Sequence, residues 1–433
     1  MTVSTSWQIE IGTKGSFTDF TSRTNGFQIY QTLERGALGT GRAQIEMLNN
    51  DGELTPNIGN TYSNVDWFAQ IVRISATVSD GTSSETVPVF TGIIDDFNVL
   101  DNGTNSVAQF TTLDFMSVSG RSNVRSGIAS QTYVTGATAF ANVYNSGGGF
   151  PPIGLASYGG TDPLVLVVSI NTPELINYKV DFDAVTAGEQ VNNQIMVHGP
   201  LYAWPTQLIF DDEPDGIFDP DYQVMFSDRK LNRTSVTEYQ KRVGRTFVFK
   251  NSPTTTELPV NDISAGYTQK DMRNAASVTG NQLGATVQTA ESPVSIDKYG
   301  TDSVNFSEMA ANTDSDAADT ASLWATRWND IAYSASQITI KASTVAERCA
   351  NAAWQSWADL LDIRSGLLNV AEVEYQPTGA STAITDACVL WAREIKATPS
   401  DTIIRCTLKP AANYQSFVLD SDTLGVLDTN RLG

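Results

Sequence analysis

His198 is the one histidine among 433 residues. A single imidazole cannot build a three-His zinc centre, an H-E-x-x-H helix or a two-His iron site. As a general base it would need a nucleophile on one side and an orienting acid on the other. It lies instead in Met196-Val-His-Gly-Pro200, at the end of a helix-like segment where backbone carbonyls can satisfy it. The sequence holds no G-x-S-x-G, no P-loop and no G-x-G-x-x-G.

The densest run of metal-ligand side chains is DDEPDGIFDPDY, residues 211–222. Set against a calcium loop, Asp211, Glu213, Asp215, Gly216 and Asp219 take positions one, three, five, six and nine. Tyr222, however, stands where the bidentate glutamate belongs, and prolines fill positions four and ten. Its flanks look like strands, so the run reads as a weak Ca²⁺ candidate or as an acidic surface turn. Asp95-Asp96 follows Phe90-Thr-Gly-Ile-Ile94 at a strand end. A glycosidase needs two carboxylates about 5–9 Å apart; no residue marks the second, and a solvated strand end explains the pair as well. Trp324, Trp328, Trp354 and Trp357 fall at helical spacing, which fits a core stripe better than a sugar platform.

Charge narrows the partners. The chain has 27 basic and 48 acidic residues, a net charge of −21. Such a surface neither tracks phosphates nor seeks anionic lipid, yet an acidic wall can let a polyanion pass without sticking. No apolar run approaches the ~18 residues of a membrane span, and the N-terminus lacks the pattern of a signal peptide. Cys349, Cys388 and Cys406 are odd in number and widely spaced, which argues for a chain made in a reducing cytoplasm rather than a disulfide framework.

The elements that carry these residues are mainly strands, with some helix. Residues 1–120 alternate apolar and polar positions between turns, as a small antiparallel barrel or sandwich would. Residues 121–265 mix strands near 164–170, 206–210, 222–226 and 245–250 with helices near 187–197 and 235–242. Residues 266–433 begin with a hairpin around Gly280-Asn281. A helix from Asp314 to about Tyr333 follows, with Thr313 or Asp314 as its cap and Ala317, Ala321, Trp324, Trp328 and Ile331 on one face. A second helix is expected over 345–361, between strands that run to residue 408.

One stretch in the first segment carries more information. In GRAQIEMLNNDGELTP, residues 41–56, Ala43, Ile45 and Met47 alternate with Arg42, Gln44 and Glu46. Asn49-Asn-Asp-Gly52 then supplies residues that tolerate positive φ, and Pro56 closes the turn. WFAQIVRISA, VFTGIIDDF and VAQFTTLDFMSVSG follow in order. Together these resemble the N-terminal region of the tail hub, or minor tail, proteins of long-tailed bacteriophages. Asn49, Asp51, Gly52, Leu54, Thr55 and Pro56 match that family's turn, and Arg73, Phe90, Thr91, Gly92 and Asp114 match its later strands. IFDDEPDG, ISAGYTQKDMRNAASVTG, SIDKYGTDSVNF and the ending SFVLDSDTLGVLDTNRLG resemble its later parts, so the likeness spans most of the chain.

The resemblance implies a scaffold, with no cofactor and no catalytic site. It implies two tail-tube-like antiparallel β-barrels, at 1–120 and 266–433, the second with bracing helices, and a mixed α/β insert at 121–265. A homotrimer would then present a pseudo-sixfold ring at the virion tail tip. That ring would meet distal tail or tail-tube rings and the tape measure protein above, and fibres or a spike below, with DNA passing through unbound. The turn at 49–56 would be a fixed structural feature at the rim of the first barrel. A receptor- or carbohydrate-binding tail-tip protein and a cell-wall polysaccharide hydrolase are the alternative readings.

Overall fold

The computed structural model describes residues 3–114 and 246–411, apart from positions 14, 15, 35, 36, 255, 271, 281, 282, 310–312, 332, 349–352, 364–366 and 368. It also describes Ser117 and five strands between those spans. The first span is all β: β1 (Ser4–Thr13), β2 (Ser16–Asp19), β3 (Thr24–Glu34), β4 (Ala37–Leu48), β5 (Ile71–Ser79), β6 (Ser84–Asp101) and β7 (Ser106–Leu113). In β4, Ala43, Ile45 and Met47 are buried while Arg42 and Gln44 are exposed, as the alternation requires. All pairings here are antiparallel, in the order β2–β1–β5–β6–β7–β4–β3. The long β6 serves two neighbours, β5 through Ile93 and β7 from Ile93 onward, with a bulge at Asp95.

The five intermediate strands are β8 (Gln131–Val134), β9 (Val165–Ser169), β10 (Tyr178–Val180), β11 (Tyr202–Leu208) and β12 (Tyr222–Ser227). β8 pairs with β10, while β12 runs antiparallel to β11 and parallel to β9. The helices expected near 187–197 and 235–242 lie outside the described residues.

The last span holds β13 (Thr246–Lys250), β14 (Leu258–Pro259), β15 (Asp262–Gly266), β16 (Ala275–Gly280), β17 (Gln288–Glu291) and α1 (Pro293–Tyr299). β18 (Ser303–Met309), α2 (Asp314–Arg327), β19 (Ser334–Lys341), α3 (Ala342–Arg348), α4 (Trp354–Leu361), β20 (Val370–Tyr375), β21 (Ile384–Ala397) and β22 (Thr402–Pro410) follow. The hairpin expected around Gly280 is β16–β17, and β18 adds parallel to β16 to complete a three-stranded sheet. Thr313 caps α2 in a reciprocal box, accepting from the Asp316 amide at 3.1 Å while its own amide donates to the Asp316 carboxylate.

The apolar stripe of α2 packs on β16 and β17, with Trp324 against Phe306 and Trp328 at ring-centroid distances of 5.0 and 4.9 Å. The bracing helix of the sequence reading therefore covers this small sheet. It also ends sooner than expected, at Arg327. Asn329 and Asp330 follow, and the Asp330 carboxylate accepts from the next amide, a local bond that competes with continued helix. The single helix expected over 345–361 is two, α3 and α4.

Strand β21 joins the two spans. Ala392–Ala397 pairs antiparallel with Phe27–Thr32 of β3, so one sheet continues from β4 and β3 through β21, β22 and β19 to β15. β20, paired to β21, links on to β13 and β14, which sequence places in the middle segment. Among the described strands the ladder is open, because the second edge of β3 is taken by β21. Cross-links reinforce the junction. The Trp357 indole donates to Thr5 at 2.9 Å, Trp7 donates to Thr402 at 3.1 Å, and the Ile363 amide donates to the Pro88 carbonyl at 2.8 Å. Ile29, Ile45 and Phe110 share one hydrophobic cluster with Ile395, Ile404 and Trp357.

Candidate functional site

The turn after β4 is organised by one side chain. Asn49 is wholly buried, and its carbonyl oxygen accepts the Leu54 amide at 2.8 Å. Its amide nitrogen donates to the Thr55 and Ser106 hydroxyls at 2.9 and 3.2 Å. The neighbouring Asn50 oxygen takes the Ser106 amide at 2.8 Å, which ties the turn to the start of β7. Gly52 has φ +71°, a conformation that side chains resist. Asp51 pairs with Arg23 at 2.7 Å, while Pro56 is exposed. The polar groups of the Asn49 side chain are all used internally, so this residue holds the turn in shape.

The later motif residues are also packing devices. Phe90 and Thr91 are buried in β6. A Cβ on Gly92 would come 2.6 Å from the Leu113 carbonyl oxygen and 2.7 Å from the Phe90 ring. Arg73 of β5 lies over the Phe17 ring at 3.7 Å and bonds Glu10 at 3.1 Å. Asp114, just past β7, is buried; its Oδ1 accepts from the Ser117 amide and hydroxyl at 2.8 and 2.7 Å, and its Oδ2 has no hydrogen-bond partner among the described residues. Burial pushes the Asp114 carboxyl up to about 7, against the opposing pull of the Ser117 bonds. A Cβ on Gly41 would meet that Oδ2 at 2.7 Å and the Gln31 side chain at 3.4 Å, so Gly41 makes room for both.

Gln31 leads to the seam. Arg393 of β21 lies directly opposite it across the β3–β21 pairing, and both are buried. The guanidinium donates through Nε and Nη2 to the Gln31 side-chain oxygen, and through Nη1 to the carbonyls of Leu360 and Asp362 at the end of α4. Burial pulls the Arg393 group down to about 10, which leaves it charged at neutral pH. One side chain thus ties together the first span, the last span and the helix that crosses between them. Sequence reasoning did not find it.

The opposite face of the seam is polar. Arg42, Tyr30, Glu394, Arg405, Thr339 and Asp262 form one cross-strand row through β4, β3, β21, β22, β19 and β15. Glu394 accepts from Gln28 at 2.6 Å and from Arg405 at 3.4 Å, and the Arg42 guanidinium lies 5.9 Å from the Tyr30 ring centre. A cleft of about 350 Å³ beside the row is lined by Gln28, Gln44, Glu46, Gln109 and Lys396. The row carries both signs, so the acidity of the chain does not gather there.

Two solved structures share this architecture over nearly the whole chain. The tail protein from Neisseria meningitidis MC58 is 12% identical, with TM-score 0.52 over 94% of this chain and 98% of its own. The 43 kDa tail protein of prophage MuSo2 from Shewanella oneidensis is 10% identical, with TM-score 0.51 over 94% of this chain and 100% of its own. The chain has the fold of these two tail proteins. No protein-family model and no curated protein matches it in sequence.

On this tail fold the candidate catalytic residues are scattered. Asp95 is the bulged residue of β6, and Asp96 accepts from the Phe97 amide and from Asn98 on its own strand at 3.0 and 2.8 Å. The pair therefore sits at a bulge inside β6, which runs on to Asp101, and not at the strand end that the sequence suggested. Trp324, Trp328 and Trp357 are buried and Trp354 packs on the core, so the helical tryptophans are structural. Cys388 and Cys406 are buried free thiols, each pushed up to about 12 chiefly by burial. His198, Cys349 and the acidic run with Asp211, Glu213, Asp215 and Asp219 lie outside the described residues. Among the described residues no three metal-ligating side chains gather, and no helix is long and apolar enough to cross a membrane.

Proposed function

We propose that this chain is a structural tail-hub protein. Three copies form a pseudo-hexameric ring that joins the tail tube or distal tail ring to tip fibres or a spike and surrounds the DNA exit channel. The supporting observation is the β3–β21 seam, which holds a β-rich unit from each end of the chain in fixed relation. Two such units per chain become six around a threefold axis, a match in number for hexameric tube rings. In this reading residues 1–120 and 266–433 contribute the two barrels, with β13, β14 and β15 joining the second, and the rest of residues 121–265 forms the insert. Closure of the open ladder is completed in the assembled ring. The motif residues Asn49, Asp51, Gly52, Thr55, Pro56, Phe90, Thr91 and Gly92 hold the first unit in shape and perform no chemistry. The net charge of −21 suits a ring through which DNA slides without binding.

The test is mass in solution by multi-angle light scattering, with negative-stain images of the same peak. Three chains in a ring with a central hole are expected. A monomer that stays single when mixed with a distal tail protein would overturn the reading.

A further inference from the structure

We propose that the cleft beside Tyr267 is a saccharide-binding subsite. The cleft has a volume of about 340 Å³ and opens where the ends of β15, β19 and β22 meet the 267–272 connection. That size suits a small ligand, not a whole protein surface. Tyr267 follows Gly266 at the end of β15 and is 75% exposed, among the most exposed large rings of the described residues. It is held by an edge contact with Tyr333, ring centres 5.2 Å apart at 63°. The contact fixes the orientation of a ring that still faces solvent.

The remaining lining suits the two sides of a pyranose. Ile331 and Pro410 supply apolar surface, and Ser264, Thr268 and Ser336 bring hydroxyls to the same space. The negative face of an aromatic ring attracts the weakly positive C–H edge of a sugar ring, while rim hydroxyls exchange hydrogen bonds with sugar hydroxyls. The Ser336 hydroxyl donates to the Ser264 carbonyl at 3.1 Å, which leaves its oxygen able to accept from a ligand. Asp330, at the edge of the cleft, already takes the Tyr299 hydroxyl at 2.8 Å and Lys298 at 3.7 Å. It is therefore engaged as a structural acid, and binding without hydrolysis is expected.

Saturation-transfer NMR on the full chain, with chitotriose and maltotriose as probes, tests this. Transfer to ring C–H protons of at least one trisaccharide is expected. Tyr267→Ala should weaken that binding about tenfold, whereas Tyr267→Phe, which keeps the ring, should retain it. No transfer to either sugar at millimolar concentration overturns the proposal. So does binding that Tyr267→Ala leaves unchanged. A shift of oligomeric mass in Tyr267→Ala without sugar binding would assign the cleft to a protein contact instead. The inference stands apart from the hub reading, since a monomer that bound sugar through Tyr267 would keep it and lose the ring.

Discussion

Arg393 and Gln31, separated by 362 positions in the chain, form a buried hydrogen-bonded pair at the centre of the sheet that joins the two ends of the protein. The guanidinium also holds the last carbonyls of α4, so strand pairing and helix docking depend on one group. Replacing it with Ala would strand three buried acceptors. Arg393→Ala is expected to destabilise the protein by about 3–5 kcal/mol, read from urea midpoints. Arg393→Lys should recover little, because a point ammonium cannot serve acceptors on two elements as a planar fork does. In a double-mutant cycle, Arg393→Met with Gln31→Met should cost less than the two single changes summed, since no buried polar atom of the pair is then left alone.

The Asn49 turn gives a second prediction. Asn49→Ala removes the acceptor of the buried Leu54 amide and the donor to Thr55 and Ser106, and should cost about 2–4 kcal/mol by thermal or urea unfolding. Asn49→Asp keeps the acceptor but loses the donor and buries a charge. It should therefore be more damaging at pH 8 than at pH 4.

Glycines at two positions separate close packing from backbone freedom. Gly92→Ala drives a Cβ against the Leu113 carbonyl and the Phe90 ring, and is expected to cost about 2 kcal/mol or more. Gly103 has φ +79° with open space around its Cβ position, so Gly103→Ala should cost only about 1 kcal/mol. Equal losses in the two variants would count against the close approach at Gly92.

Asp114 predicts a pH dependence of definite sign. Its carboxyl is raised to about 7 in the folded protein, from 3.8 when free, so the folded state holds the proton more tightly. This group's contribution is full below pH 4, is lost as pH rises toward 7, and beyond that leaves a fixed penalty of a few kcal/mol. Unfolding midpoints of the wild type should therefore fall between about pH 4 and 7 relative to Asp114→Asn, which has no such proton, and run parallel to it above that range. Parallel profiles within the range as well would show that Asp114 titrates normally.

Much of the local structure was legible from residue types. The alternation of β4, the Asn-Asn-Asp-Gly turn and the Thr313–Asp316 cap follow from side chains within a few positions of one another, where local sterics and hydrogen bonding decide. A lone histidine limits His-based metal and base chemistry wherever it folds, and that much follows from the sequence. The seam was not. Cys388 and Leu390 put the even positions of β21 inward, and that phase would send Arg393 to solvent. A bulge between Leu390 and Ala392 in the pairing with β22 reverses the phase, so that Arg393, Ile395 and Ala397 point inward instead. Composition and short-range pattern thus set the class of the protein and its turns. Which strand edge β3 would meet, and which arginine would be buried there, depended on contacts hundreds of residues apart, where only the assembled core makes a buried charge tolerable.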